Sequence, residues 1–406
     1  MLVLNKKNTR TADVVLEAHD VHRSFVRNGK FYAQILDGLQ DELIAKGFSC
    51  FTLARVGSKL IENAYGEVYY PYSIADYFYF YCSKIRIFGL KSCYGDYRVK
   101  YYSKMLDNAK AKIVIGIQPS RYLIKAAKLL NIPVVDLLHG YGIVKDHSFY
   151  GVESFKKKEQ EYCCTDYVAL DDFTKEILKS NILLANRKAR IWSYLSPVLK
   201  DRSKIQDNNL SIFSNSHKKT FLITLQWGIE RFESKYHHRD GELHPEIIKV
   251  IDLAEKEGFG FIIKPHPILL KNSIAIRRLS HYVKSRNNVF LDTNSSLASL
   301  LNIVSCHITI FSSSTREAAF LRRETLIFSS EDYLFKGDNS LFQCEIKYGI
   351  AQRVVNLSTL KIVDLLKSKV VFSKEDDYQK YKDNVMPEIT DAGALVQMIL
   401  DGHSLD

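Results

Sequence analysis

The 406-residue sequence lacks long apolar runs. Nowhere do 18 apolar residues follow one another, which is close to the length that a membrane-spanning helix needs. The first residues, MLVLNKKNTRTADVV, turn polar after four positions, so no secretory signal peptide is predicted. We therefore expect a cytoplasmic protein, either free or held peripherally on the inner face of the cytoplasmic membrane.

Cysteine and proline are scarce, with seven and eight residues respectively. The only close cysteine pair, Cys163 and Cys164, is adjacent rather than spaced for a metal or redox site. We interpret the cysteines as reduced thiols without chemistry. Together with 46% hydrophobic and 25% charged residues, the low proline content is typical of a globular chain.

The common signatures of metal and nucleotide sites are also missing. Neither G-x-x-x-x-G-K-[ST] nor G-x-G-x-x-G occurs. Of the two histidine pairs, His19 with His22 and His237 with His238, neither has a convincing set of acidic or cysteine partners at ligand spacing. No metal site is predicted.

The formal net charge of +11 suits an anionic partner such as nucleic acid, lipid headgroups or a phosphorylated substrate. Lysine and arginine are spread along the chain in short clusters, for example KKK at 156–158, and no nucleic-acid-binding motif is present. We predict no nucleic-acid partner. A basic nucleic-acid-binding protein without catalysis is the alternative from another functional class.

Strand and helix patterns alternate through most of the chain, which indicates an α/β protein with two doubly wound domains. In the first, VVLEAHD (14–20) is predicted as a strand, and FYAQILDGLQDELIAKG (31–47) as a helix ended by glycine. A polar stretch at 201–219 places the domain boundary near residues 196–219. The predicted domains are 1–200 and 201–375, followed by closing helices at 376–406 that pack back on the first domain.

Three predicted strand ends in the second domain carry unusual side chains. They are LQWGIE (225–230), KPHP (264–267) and FSSSTRE (311–317). Ligands of open parallel sheets bind beyond the carboxyl ends of the strands, so these segments are expected to line one site in a cleft between the domains.

The KPHP segment places His266 between Pro265 and Pro267, which restrict the backbone on either side, and next to Lys264. A stiffened imidazole beside a lysine is what an anion clamp requires. The other interpretation is a hydrogen-bonded structural histidine.

The serine run offers hydroxyl groups and backbone N–H groups at the start of a predicted helix, where anions commonly bind. It comprises Ser312, Ser313 and Ser314. Ser314 with Glu317 also fits a capping box, which needs no ligand but does not explain the other two serines. Gln226 and Gly228 form a weaker signal, an amide and a glycine where a backbone approaches a ligand closely.

In the first domain, polar residues at strand ends are candidates for the base that deprotonates an acceptor hydroxyl. His139 lies in LLHGYG, and Glu17 and Asp20 lie in EAHDVHRS. Such residues often only tie down loops, which is the alternative for all three.

Four segments, LLHGYG, FLITLQWG, FIIKPHP and ITIFSSSTREAAF, occur in this order. Their pattern resembles bacterial surface-polysaccharide glycosyltransferases of GT-B type, and is similar to that of polysialyltransferases, capsular Kdo transferases and CDP-glycerol glycerophosphotransferases. The resemblance covers mainly 220–328, with a thinner trace at 112–142. The acidic pair followed by glycine that polysialyltransferases carry is absent, since Asp37 and Gly38 lie within a predicted helix.

The resemblance implies a GT-B fold with an acceptor-binding domain at 1–200 and a nucleotide-sugar-binding domain at 201–375. In the second domain Lys264, His266 and Ser312 to Ser314 would hold the nucleotide phosphate, and Glu317 would hold the ribose. It also implies a CMP-linked donor of Kdo or nonulosonic acid type and a glycan or lipid-linked acceptor. A CDP-glycerol or ribitol-type polyol-phosphate transferase is the alternative.

Families of this kind need neither a bound divalent metal nor a cofactor, because the nucleotide sugar is a co-substrate and protein groups stabilise the leaving phosphate. The positive charge would then hold the enzyme at an anionic membrane surface, where a lipid-linked acceptor is located.

Overall fold

The computed structural model describes the following residues: 11–18, 23–27, 29–54, 63–66, 68–69, 76, 90–138, 150–200, 208–226, 241–330, 335, 341–368 and 375–404. The chain divides into two compact units, Met1–Leu195 with Pro387–Asp406, and Ser196–Met386. The predicted boundary at residue 200 lies close to this division. The division assigns 376–386 to the second unit and only the end of the chain to the first.

A seven-stranded parallel sheet and a small antiparallel hairpin form the strands of the first unit. In chain order these strands are β1 (Val14–Ala18), β2 (Arg23–Arg27), β3 (Lys30–Ala33), β4 (Cys50–Ala54), β5 (Val68–Tyr69), β6 (Ile113–Gly116), β7 (Val134–Leu137), β8 (Asp166–Ala169) and β9 (Arg190–Ser193). The order in the sheet is β5-β4-β1-β6-β7-β8-β9, and the hairpin pairs β2 with β3.

A six-stranded parallel sheet forms the second unit. Its strands are β10 (Lys219–Thr224), β11 (Phe259–Lys264), β12 (Val289–Leu291), β13 (Cys306–Thr309), β14 (Thr325–Ile327) and β15 (Ala351–Arg353). The order β12-β11-β10-β13-β14-β15 is the doubly wound arrangement, in which the direction of winding reverses between β10 and β13.

Helices connect the strands of both sheets. Those of the first unit are α1 (Leu36–Ala45), α2 (Leu90–Ala109), α3 (Arg121–Leu129), α4 (Val152–Lys157) and α5 (Asp172–Leu184). The second unit continues with α6 (Pro197–Lys200), α7 (Asn208–Ser216), α8 (Pro245–Ala254), α9 (Ser273–Lys284), α10 (Leu297–Ile303), α11 (Ser314–Phe320), α12 (Gln343–Lys347), α13 (Thr359–Ser368) and α14 (Glu375–Val385). The last helix, α15 (Ala392–Ser404), belongs to the first unit.

The sheets form because their central strands are apolar on both faces, as parallel strands covered by helices require. In β10 and β11, Phe221 and Phe261 contribute to the core on one face of the second sheet. Leu222 and Ile262 contribute to a separate core on the other face. Pro245 opens α8 at its first helical position, and Gly258, with φ +74°, follows a short 3-10 turn.

The prediction of a helix over 31–47 is wrong at its start. Lys30–Ala33 is a strand that pairs with Arg23–Arg27, and the helix begins only at Leu36. Periodicity misses this because Tyr32 suits both a helical stripe and a hairpin. Gly47, with φ +88°, follows the helix end as predicted.

None of the helices in the described ranges combines the length and the hydropathy needed to span a membrane.

Candidate functional site

The carboxyl edge of the second sheet is built around a row of three residues. Thr224 at the end of β10 pairs in register with Lys264 of β11 on one side and with Thr309 of β13 on the other. Because the winding reverses between β10 and β13, this edge is where a doubly wound sheet binds its ligand. His266 and Gln226 each lie two residues beyond this row.

The ring of His266 is fixed by the turn that follows β11. Its Nδ1 accepts a hydrogen bond from the Ile268 N–H at 3.2 Å, and its carbonyl accepts from the Leu269 N–H at 2.8 Å. With Nδ1 as acceptor, the neutral ring carries its proton on Nε2. The side chain is half-buried. His266 therefore presents an oriented N–H donor at the sheet edge.

Lys264 is buried and directed towards the loop after β12. Its ammonium donates to the carbonyl of Ser295 and lies 3.9 Å from a carboxylate oxygen of Asp292. Burial lowers the pKa of Lys264 to about 8, and the charge of Asp292 opposes that shift. At neutral pH the lysine still adds positive charge beside His266, while it also fastens the β12 loop.

The serine run does not form the capping box that its sequence allows. Helix α11 begins at Ser314, and Ser313 in the cap position makes no side-chain cap hydrogen bond. The Ser314 hydroxyl is buried and lies 2.8 Å from the Thr224 hydroxyl. Ser312 accepts a bond from the Ser314 N–H at 3.3 Å. The Ser313 hydroxyl has no hydrogen-bond partner among the described residues, so it is available to a ligand.

A buried histidine that sequence reasoning missed holds this segment in place. Nε2 of His307 lies 2.8 Å from the Thr224 hydroxyl and 3.2 Å from that of Ser314, and its Nδ1 lies 3.0 Å from the Thr325 hydroxyl. Burial lowers the pKa of His307 to about 3, so the ring is neutral. One signal was available, a histidine inside the apolar strand HITIF.

Glu317 lies in the first turn of α11. In the part of the chain that the structure describes, its carboxyl group makes no hydrogen bond or ion pair. Burial raises its pKa to about 8, although some of the side chain remains accessible to solvent. A carboxyl group that is largely protonated at neutral pH can both donate to and accept from sugar hydroxyls.

Gln226 ties the two central strands together at their ends. Its Oε1 accepts from the Phe311 N–H at 3.0 Å. The hydroxyl of Thr309 donates to the Thr224 carbonyl at 3.2 Å and accepts from the Ser312 N–H at 3.2 Å. These bonds fix the backbone from Thr309 to Ser312, which leads into the serine run. The predicted partner of Gln226, Gly228, lies outside the described residues.

Sheet topology limits the separation of the two predicted nucleotide-binding segments. The segments follow β11 and β13, which flank β10 on opposite sides. Since neighbouring strands lie about 4.8 Å apart, the strand ends are separated by about 10 Å. Such a gap is within the length of one nucleotide.

In the first unit, the contacts of Glu17 favour a structural role. It is buried in β1, and its Oε2 accepts from the N–H of Ser120 at 2.5 Å. Ser120 is the N-cap of α3, so Glu17 fixes the start of that helix. The other two candidates for the base, Asp20 and His139, lie outside the described residues.

No group of three or more His, Cys, Asp or Glu side chains within the described ranges is arranged to hold a metal ion. Both histidine pairs noted in the sequence lie outside those ranges. Metal independence stays a prediction.

No family model and no curated protein matches the sequence. Solved structures do match. The chain is similar to the wall teichoic acid polymerase TagF, with 15% identity and a TM-score of 0.59 over 99% of this chain and 90% of the other. It is also similar to UDP-GlcNAc 2-epimerase from Methanocaldococcus jannaschii, with 13% identity and a TM-score of 0.55 over 95% of this chain and 98% of the other. A third similar structure is S. aureus MnaA with UDP, with 10% identity and a TM-score of 0.55 over 95% of this chain and 94% of the other.

At these identities the likeness shows the fold alone. Together with the two parallel doubly wound sheets, it confirms the predicted α/β class and a GT-B-like fold.

Proposed function

We propose that this protein is a glycosyltransferase that moves a sugar from a nucleotide donor to a glycan or lipid-linked acceptor of a bacterial surface polysaccharide. The observation that carries the proposal is the carboxyl edge of the second sheet. There the turn orients the N–H of His266, and the Ser313 hydroxyl and the Glu317 carboxyl make no hydrogen bond to another described residue. These side chains follow strands that flank the reversal of the sheet. The donor we propose is CMP-linked, of Kdo or nonulosonic acid type.

Each residue has a distinct role in this proposal. As the bond between the sugar and the phosphate breaks, the leaving CMP gains negative charge on its phosphate. His266 donates from Nε2 to that phosphate, and Ser312 and Ser313 donate from their hydroxyls. Lys264, which is buried at the end of β11, adds positive charge. Donors that are already in position when the charge develops lower the barrier most.

Glu317 would bind the ribose. Its raised pKa keeps a proton on the carboxyl group at neutral pH, so it can donate to one ribose hydroxyl and accept from the other. Gln226 is a positioning residue in this scheme, because its amide oxygen is already used by Phe311.

The acceptor hydroxyl must lose a proton as it attacks the sugar. His139 and Asp20 stay the proposed bases. Glu17 is the weaker candidate, because its carboxylate already accepts from Ser120.

A specific observation supports the second candidate function, polyol-phosphate transfer from a CDP-linked donor. TagF, which shares the fold, has been solved with CDPG. In that reaction the pyrophosphate bond breaks, so CMP leaves and the acceptor gains phosphorus. The leaving group is CMP in both candidate reactions, and the same residues at the carboxyl edge of the second sheet would bind it.

Thermal-shift measurements with CMP, CDP, UDP and GDP test the shared part of these proposals, since a ligand that binds only the folded state raises its melting temperature. We expect CMP and CDP to raise it most. A preference for UDP or GDP would overturn the donor assignment, and no shift with any nucleotide would remove support for an enzyme of this class. Product mass then separates the candidates, because only polyol-phosphate transfer adds phosphorus.

A further inference from the structure

A cavity in the first unit is lined by Pro119 and Arg121, the two neighbours of the Ser120 that bonds to Glu17. It has a volume of about 340 Å³, at the lower end of the range of roughly 300–1,000 Å³ that is typical of ligand sites. Residues at the end of β6, in β7 and β8, and around α3 and α4 line it. A cavity of this size suits one sugar ring better than a nucleotide sugar.

The floor of the cavity is buried and internally hydrogen-bonded. Asp136 accepts from the Gln118 N–H at 2.8 Å and from the Tyr150 hydroxyl at 3.4 Å. Tyr167 completes the buried floor. Because two donors of the protein already bond to Oδ1 of Asp136, the charge of this carboxylate is partly offset before any ligand enters.

The rim is positively charged. Arg121, Lys157 and Lys158 lie on it, against the single carboxylate of Glu159. Arg121 and Lys157 are exposed, and no carboxylate among the described residues forms a salt bridge with either. Lys156, next along α4 but not on the cavity, is paired with Glu153 at 2.9 Å instead. Lys157 is therefore an exposed cation of the rim that makes no salt bridge to a described carboxylate.

Aromatic surface lies directly beside these cations. The Arg121 guanidinium is 4.3 Å from the ring centroid of Tyr162, which holds it against the rim. Pro119 and Ile124 add apolar wall. An anion clamp next to an apolar and aromatic wall matches a sugar ring that carries a negative group, since the ring packs on the wall and the group pairs with the cations.

We propose that this cavity binds an anionic sugar unit of the acceptor glycan, with its carboxylate or phosphate between Arg121 and Lys157. The proposal rests on the proposed function in naming the acceptor as the source of the sugar. It adds the chemical class of that acceptor, which neither the fold nor the donor site specifies.

Isothermal titration of the protein tests the proposal with glucuronate, glucose 6-phosphate, glucose and inorganic phosphate as probes. We expect one of the two anionic sugars to bind at least about tenfold more tightly than glucose, because a charge-assisted hydrogen bond is added. Preference between glucuronate and glucose 6-phosphate identifies the carboxylate or the phosphate as the natural group. Equal affinity for glucose, binding of phosphate as tight as that of glucose 6-phosphate, or no binding of any probe would overturn the proposal.

Two variants and one control locate the binding. Arg121→Ala and Lys157→Ala should each weaken binding of the anionic sugar about tenfold. Lys156→Ala, on the same helix, should leave it unchanged. Both rim side chains are exposed, so the melting temperature should stay near that of the wild type. Binding that survives both rim substitutions would contradict the location.

CMP-induced thermal shifts measured on the same variants separate this proposal from the donor assignment. If CMP binds and no anionic sugar does, only the cavity proposal fails. If the anionic sugar binds and CMP does not, the proposed function fails while the cavity remains a sugar site.

Discussion

The hydroxyl of Thr224 lies 2.8 Å from Nε2 of His307 and equally close to the hydroxyl of Ser314. This contact joins the central strand of the second sheet to the strand beside it and to the first residue of α11. All three side chains are buried. A polar network inside the core thus determines where the serine run lies, and the proposed phosphate contacts depend on it.

Thr224→Val should destabilise the protein and weaken donor binding together. The substitution keeps the shape but removes a hydroxyl, so His307 and Ser314 each lose a buried partner, at a cost of about 1–3 kcal/mol in the free energy of unfolding. Urea unfolding measures that cost, and titration with CMP measures affinity. An unchanged unfolding free energy would show that the network contributes nothing.

Alanine substitutions of Ser313 and Ser314 should have different effects on stability and on CMP binding. Ser314→Ala should lower the free energy of unfolding by about 1 kcal/mol or more, because it breaks the buried network. Ser313→Ala should leave stability nearly unchanged and weaken CMP binding, because the Ser313 hydroxyl has no partner in the described part of the protein. The two effects are compared by urea unfolding and CMP titration of both variants. Equal behaviour of the two variants would contradict the distinct roles.

Acid should destabilise the protein through His307. Its pKa of about 3 in the folded state lies below the ordinary value of 6.5, so the unfolded state binds the proton more tightly. The stability from the neutral ring is therefore complete above about pH 6.5 and is lost as the pH falls towards 3. His307→Asn should flatten the pH dependence of the unfolding free energy between pH 4 and 6.5. A slope equal to that of the wild type would show that His307 does not titrate on unfolding.

Glu317 should change the pH dependence of stability in the opposite direction to His307. Its pKa of about 8 lies above the ordinary 4.5, so the folded state binds the proton more tightly, and stability falls as the pH rises from about 4.5 to 8. Glu317→Gln should raise the unfolding free energy at pH 8 by about 1–2 kcal/mol, allowing for solvent access, with little change at pH 4.5. Matching pH profiles of variant and wild type would contradict the raised pKa.

Local sequence identified the doubly wound class and the strands that lead into the KPHP and serine segments, because apolar runs and strand ends are local features. It missed the hairpin strand Lys30–Ala33. It did not identify the partners of His307, since Thr224 and Thr325 reach it only through strand pairing. The cavity beside Arg121 was equally hidden, because its walls come from separate crossovers. The capping box failed for the same reason, as Ser314 bonds to a distant strand instead of its own helix.

Binding of CMP to the wild type and to His266→Ala tests whether His266 holds the phosphate of the leaving nucleotide. His281→Ala, on the exposed side of α9, is the control. We expect the wild type and the control each to bind CMP more tightly than they bind UDP or GDP. We also expect His266→Ala to lose at least about tenfold in CMP affinity at an unchanged melting temperature, because one charge-assisted hydrogen bond to the phosphate is removed. Full CMP affinity in His266→Ala, or tighter binding of UDP or GDP by the wild type, would contradict this assignment.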